Sequence, residues 1–155
     1  MSNTVVLAFG EETTSKVAAT IASKLDADLI VNEKMLDGAT VVVAGTHVRM
    51  GKFNKRYIRF VKKYAAKVRI YTFIVGAEIE KKQKYVDLAG RLSGGKVWYV
   101  WGELNANKAK GLKKFALQAF IDGRRQDGLP TPRLLDKEIA ALCREVMLEN
   151  QITEK

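Results

Sequence analysis

The chain has 155 residues, 47% of them apolar and 28% charged, with two prolines and a net charge of +10. That length and balance suit one folded domain over residues 1–155 and exclude a disordered or fibrous chain. No run approaches the roughly 18 apolar residues of a membrane-spanning helix, the opening MSNTVVLAFGEE lacks the basic start and long apolar core of a secretory leader, and the single cysteine, Cys143, makes neither an internal disulfide nor a thiolate metal cage.

Residues 4–9 are a short apolar run ending at Gly10, and Val17, Ala18, Ile21, Ala22 and Leu25 then recur at helical spacing, so the chain opens as strand, turn and helix. Thr13 or Thr14 is the expected N-cap, because a hydroxyl there accepts from an unpaired N–H of the first turn. A second strand is expected over residues 28–31, followed by a polar turn at 32–34, and a third over the β-branched run 40–44, closed by Gly45. A helix follows over residues 52–64. The fourth strand is expected over 68–75, closed by Gly76. Ile79, Gln83, Val86 and Leu92 suggest a helix that runs to Gly94-Gly95, and residues 96–101 make the fifth strand. Two helical patterns end the chain, one through Leu112, Phe115, Ala116, Ala119 and Phe120, the other through Leu135, Ile139, Leu142, Cys143 and Val146. Residues 123–133 between them hold two glycines and both prolines and are expected to form a loop.

The positive charge is concentrated. No acidic residue lies between Asp37 and Glu78, whereas Arg49, Lys52, Lys55, Arg56, Arg59, Lys62, Lys63, Lys67 and Arg69 all do. At about 100° per residue, Phe53, Tyr57, Phe60, Val61 and Tyr64 share one side of the 52–64 helix and Lys52, Lys55, Arg56, Arg59, Lys62 and Lys63 share the other. The basic side is open to three readings: a solvated face, a docking surface for an acidic partner or anionic lipid, and a nucleic-acid site. The last ranks third, because single-strand binders display aromatic rings among their cations and here the rings turn inward.

Apolar strands alternating with helices indicate a parallel sheet covered on both faces, an α/β doubly wound fold with five strands in the order 2-1-3-4-5 and an extra helix at the carboxyl end. The order reverses direction between strands 1 and 3, and a ligand is expected at the carboxyl ends of these strands, among residues 10–15, 45–51 and 76–80. Residues 10–16, GEETTSK, join a strand to a helix through a glycine and three hydroxyl residues. Converging donors and the helix dipole suit a phosphate there. A hydroxyl-rich cap without a ligand accounts for the same residues, and Glu11 and Glu12 oppose an anion.

The stretch VVVAGTHVRMGKFNKRYIRFVKKYAAKV, residues 41–68, resembles the flavodoxin-like menaquinone-dependent protoporphyrinogen oxidases, which carry a G-A-S-I-R-Y-G pattern followed by Phe and a basic amphipathic helix. Gly45, Thr46, His47, Val48, Arg49, Met50 and Gly51 are the counterpart here, with Phe53 following. The resemblance implies a flavodoxin-like fold, FMN as cofactor, and electron transfer without a metal. It implies that Gly10, Thr13, Thr14 and Ser15 surround the FMN phosphate, that Thr46, His47, Val48, Arg49, Met50 and Gly51 line the isoalloxazine, and that Gly76, Ala77 and Glu78 supply its other edge. Glu12 stands where the family loop carries Gly, and Met50 where it carries an aromatic residue. A cation at Arg49 beside the ring would favour the anionic reduced flavin.

Two functions from different classes follow. The first is an FMN-binding oxidoreductase or electron-transfer protein in the cytoplasm or peripheral at the inner membrane face, with a quinone or protoporphyrinogen-type substrate implied by the resemblance. Its basic helix would dock a redox partner protein or an anionic membrane surface. The alternative is a flavodoxin-like module that has lost FMN and uses that helix to bind an acidic partner. His47, the only histidine, has no second histidine for a metal site. Trp98, Trp101 and Cys143 read as packing residues.

Overall fold

The computed structural model describes residues 4–10, 12–36, 38–49, 51–101, 119, 122, 125–127 and 136–154. Its elements are β1 (Thr4–Phe9), α1 (Glu12–Leu25), β2 (Asp28–Ile30), a 3-10 turn (Glu33–Met35), β3 (Val41–Arg49), β4 (Lys52–Phe53) and α2 (Lys55–Tyr64), followed by β5 (Arg69–Gly76), a second 3-10 turn (Ile79–Lys81), α3 (Lys82–Ser93), β6 (Val97–Trp101) and α4 (Asp136–Glu154). The sheet order is β2-β1-β3-β5-β6, and every pair along that path is parallel. Without the two-residue β4, this is the expected 2-1-3-4-5, a flavodoxin-like arrangement with an added C-terminal helix.

The strands are long apolar runs because each presents side chains to a buried layer on both faces. On one face, Val5, Leu7 and Phe9 of β1, Val42 and Ala44 of β3 and Ile70 and Ile74 of β5 pack against Tyr57, Phe60 and Val61 of α2 and Tyr85 and Ala89 of α3. On the other, Val6, Val41, Val43, Tyr71, Phe73 and Val75 pack against Val17, Ala18, Ile21 and Ala22 of α1 and Ile139, Leu142, Cys143 and Val146 of α4. Cys143 and its helical neighbours fill core, as their spacing suggests. Trp98 is half-buried and stacks on Tyr71 at 6.2 Å between ring centroids.

Three local expectations need correction. β3 does not close at Gly45 but runs on to Arg49 and turns back through Gly51 into β4, pairing Val48 with Phe53 and Arg49 with Lys52. Gly51 has φ 76°, a left-handed conformation that glycine adopts without strain. The basic helix accordingly starts at Lys55, capped by the Asn54 side chain, which accepts from the Arg56 N–H at 2.8 Å. Thr13 and Thr14 lie inside the first turn of α1 rather than at its cap. On α3, Gln83 is exposed and Tyr85 takes the inner side with Ala89 and Ser93. The helix expected from Leu112 to Phe120 lies outside the described residues, apart from a helical Ala119. Of the loop expected over 123–133, only 125–127 are described, and Arg125 and Gln126 are helical. Among the described residues, no helix is long and apolar enough to cross a membrane.

Candidate functional site

The chain leaves β1 toward the face covered by α1 and α4, and leaves β3 toward the face covered by α2 and α3, so the sheet edge opens between these two strands. Phe9 is the last β1 residue in register, opposite Thr46 of β3, which sets Gly10 beside His47. A Cβ on Gly10 would stand 2.6 Å from His47 Nδ1 and 2.7 Å from Thr14 Oγ1. One strand end, one helix start and one neighbouring strand therefore bring two polar atoms to a single point where only glycine fits.

Strand alternation divides the residues expected to act together. Thr46 and Val48 face α2, whereas His47 faces α1. The Thr46 hydroxyl is fully buried, donates to the His47 carbonyl at 3.1 Å and accepts from the Asn54 N–H at 3.1 Å, which ties the β3–β4 hairpin to the start of α2. His47 Nδ1 is buried and has no hydrogen-bond partner among the described residues. Burial pushes the imidazole pKa below its ordinary value; the nearby Phe9 carbonyl opposes that shift without closing a hydrogen bond of good geometry. The ring is therefore neutral at about pH 7.

The remaining positions are spread around this point. Thr13 is half-buried, Thr14 is 1% exposed, and Ser15 lies on the open side of α1. Arg49 pairs with Lys52 in the hairpin, Met50 lies outside the described residues, and Gly51 is exposed at the turn. Gly76 is a packing position: a Cβ there would overlap the Tyr99 ring and hydroxyl. Tyr99 donates to the Glu78 carbonyl at 2.9 Å, and burial pushes its phenol pKa up. This brace fixes the turn of Gly76, Ala77 and Glu78, and the Glu78 carboxylate points to Lys81 at 3.4 Å.

Sequence reasoning missed the tyrosines beneath the crevice. Tyr85 stacks at an angle on Phe53, 6.0 Å between centroids, and its hydroxyl is 3.9 Å from where a Gly51 Cβ would lie. The spacing Tyr85, Ala89, Ser93 was the available signal.

FMN, the group implied by the resemblance of residues 41–68, carries a phosphate, and apart from the two glutamates in the sequence there the β1–α1 turn offers groups that suit an anion. The unpaired amides of the 14-residue α1 start there. Gly10 admits no side chain, and the orphaned His47 nitrogen faces the same point. The basic side of α2 is on the α2/α3 face: Lys52, Lys55, Arg56, Arg59, Lys62 and Lys63 are all exposed, while Phe53, Tyr57, Phe60 and Val61 are buried and Tyr64 is half-buried.

No family model matches the chain, and no curated protein sequence does. Among solved structures, rubredoxin oxygen:oxidoreductase from the anaerobe Desulfovibrio gigas is similar with a TM-score of 0.47 and 12% identity over 76% of this chain, which spans only 34% of that longer protein. A protein assigned as a flavoprotein from Bacteroides eggerthii has a TM-score of 0.45 and 12% identity, covering 79% of this chain and 96% of its own. A response regulator from Burkholderia multivorans has a TM-score of 0.37 and 14% identity over 79% and 94%. Likenesses at these scores assign neither family nor ligand; the fold assignment rests on strand order and pairing.

Proposed function

We propose that the chain binds FMN in the crevice between β1 and β3, with the phosphate at the first turn of α1, and serves as a flavodoxin-like electron-transfer protein or oxidoreductase. The observation that carries this reading is the convergence of Gly10, Thr14 and the unpartnered His47 Nδ1 at that turn. The resemblance of residues 45–53 to the menaquinone-dependent protoporphyrinogen oxidases points to the same cofactor.

When bound, FMN supplies electron transfer at its ring system, chemistry that amino-acid side chains do not offer. The chain's part is to hold and orient it. His47 Nδ1 and the first amides of α1 donate to the phosphate, and Gly10 lets the backbone approach it. The hairpin from His47 to Phe53 and the turn of Gly76, Ala77 and Glu78 border the ring, with Arg49 as the cation nearest by sequence. The exposed cations of α2 serve as the chain's docking side.

Titration of the full chain with FMN and, separately, riboflavin tests the reading. Quenching of FMN fluorescence at micromolar concentration, with riboflavin bound at least about tenfold more weakly for want of the phosphate, is expected. A colourless protein that leaves FMN fluorescence unchanged supports the second reading, a flavin-free module that binds an acidic partner. That reading is favoured by the short connection between β1, which ends at Phe9, and α1, which starts at Glu12, and by the two consecutive glutamates, Glu11 and Glu12, that the sequence carries there.

A further inference from the structure

We infer that the outer face of β4 and α2 is a contact surface for an anionic lipid bilayer. The inference extends the docking part of the proposed function and holds whether or not flavin binds. Lys52, Lys55, Arg56, Arg59, Lys62, Lys63 and Lys67 are all exposed along one short hairpin strand, the helix that follows it and the turn that leaves the helix. α2 has 10 residues, so the cations line a rigid edge about 15 Å long. No acidic residue interrupts residues 38–77. Among the described residues, the one carboxylate that reaches this stripe is Glu33, 3.9 Å from Lys63.

Three observations select lipid over other polyanions. First, the large exposed apolar side chains among the described residues are Leu29, Val31, Met35, Leu88, Met147 and Leu148, none of them on β4 or α2. A protein interface draws its strength from buried aromatic or aliphatic anchors at its centre, and this face offers none. Secondly, five of the seven cations are lysines, compact point charges suited to a diffuse head-group layer, whereas bidentate recognition of fixed carboxylates or phosphates uses arginine. Arg56, one of the two arginines, has its guanidinium 5.7 Å from the Phe9 ring centroid. Thirdly, Phe53, Tyr57 and Phe60 are buried beneath the stripe, and the half-buried Tyr64 ring is engaged by the Lys63 and Lys67 ammoniums at 5.2 and 5.6 Å, so no ring stands fully displayed for a base to stack on. Clusters of four to eight basic residues on an amphipathic helix bind anionic lipid, with affinity falling as salt screens the surface. Because α2 follows directly from the hairpin that carries His47, docking on this face sets the crevice mouth next to the membrane.

The test is sedimentation of the full chain with vesicles of phosphatidylcholine alone and of phosphatidylcholine with about one third phosphatidylserine. Binding only to the serine-containing vesicles, lost on raising salt to about 0.5 M, is expected. The variant Lys55→Gln/Arg56→Gln/Arg59→Gln/Lys63→Gln should melt at the parent temperature and bind with about fivefold lower affinity per charge removed. Lys24→Gln/Arg144→Gln, on the opposite sheet face, should bind like the parent. Vesicle binding unchanged in the four-residue variant, no binding to the serine-containing vesicles, or stronger retention by polyglutamate or duplex DNA at matched charge and salt would overturn the inference. Sedimentation does not depend on flavin, so failure here is separable from failure of the FMN titration.

Discussion

The two ends of the sheet treat polar groups in opposite ways. At the amino ends of β5 and β6, Lys96 bonds both Glu145 and Glu149 of α4, Tyr71 donates to Glu149 at 2.8 Å, and Arg69 stands 3.9 Å from the same carboxylate. Every member of that cluster has a partner, and the Lys96 ammonium beside it holds the Glu149 pKa down at about 2. At the carboxyl ends of β1 and β3, an imidazole nitrogen is buried without a partner next to a glycine that admits no side chain. A polar atom buried and unpaired costs about 1–3 kcal/mol. The first arrangement is self-sufficient and locks α4 to the sheet. The second is incomplete in the way a binding site is, and a ligand accepting from His47 would relieve it.

One substitution made at both ends measures the contrast. Gly95→Ala drives a Cβ into the Ile70 carbonyl oxygen, which belongs to the backbone of β5 and cannot move aside. The expected loss is about 3 kcal/mol in urea unfolding, at the upper end for overpacking. Gly10→Ala meets the side chains of the half-buried His47 and the buried Thr14 rather than backbone, so stability should fall by less, about 1–2 kcal/mol. FMN affinity should fall at least about tenfold, because the displaced imidazole no longer faces the turn. Equal losses of stability in the two variants would remove the contrast.

Removing the carboxylate from the amino-end cluster is expected to have a smaller effect. Glu149→Gln should destabilise by about 1 kcal/mol at neutral pH, since the group is partly exposed and solvent screens its pairs. The folded-state pKa lies below the ordinary carboxylate value of 4.5, so this contribution is present above about pH 4.5 and is lost as the pH falls toward about 2. Parent and variant stabilities should therefore converge in that acid window when followed by circular dichroism; a gap that persists there would assign the effect to packing. The smallest expected effect belongs to the crevice. FMN affinity should rise severalfold as the pH falls from about 7.5 to 6, because the neutral His47 of the free protein gains a proton beside the phosphate. A flat profile would take the imidazole out of contact with the phosphate.

Much of this architecture was legible because it is written in local periodicity. The runs of β1, β5 and β6, the stripe Val17, Ala18, Ile21 and Ala22, and the inner side of α2 follow from alternation and helical spacing alone, and the crossover rules then leave few sheet orders. The hairpin was missed because Gly45 reads as a strand end. It is in fact an interior strand position where a Cβ would overlap the Phe73 ring, so β3 continues and reverses at Gly51. In the crevice, the sequence brings residues 46–49 together but does not say that alternation sends Thr46 into the hairpin and His47 toward Gly10. The cluster around Lys96 joins residues 49 and 53 positions apart, and no local pattern foretells such a meeting.

The chain contains one histidine, so its imidazole nitrogen resonances are unambiguous and report directly on the turn beside Gly10. Nitrogen-15 NMR of that ring during titration with FMN and with riboflavin tests the central claim. The account predicts a shift toward the protonated imidazole on adding FMN and little change with riboflavin. An imidazole spectrum unmoved at saturating FMN would place the phosphate elsewhere and contradict it.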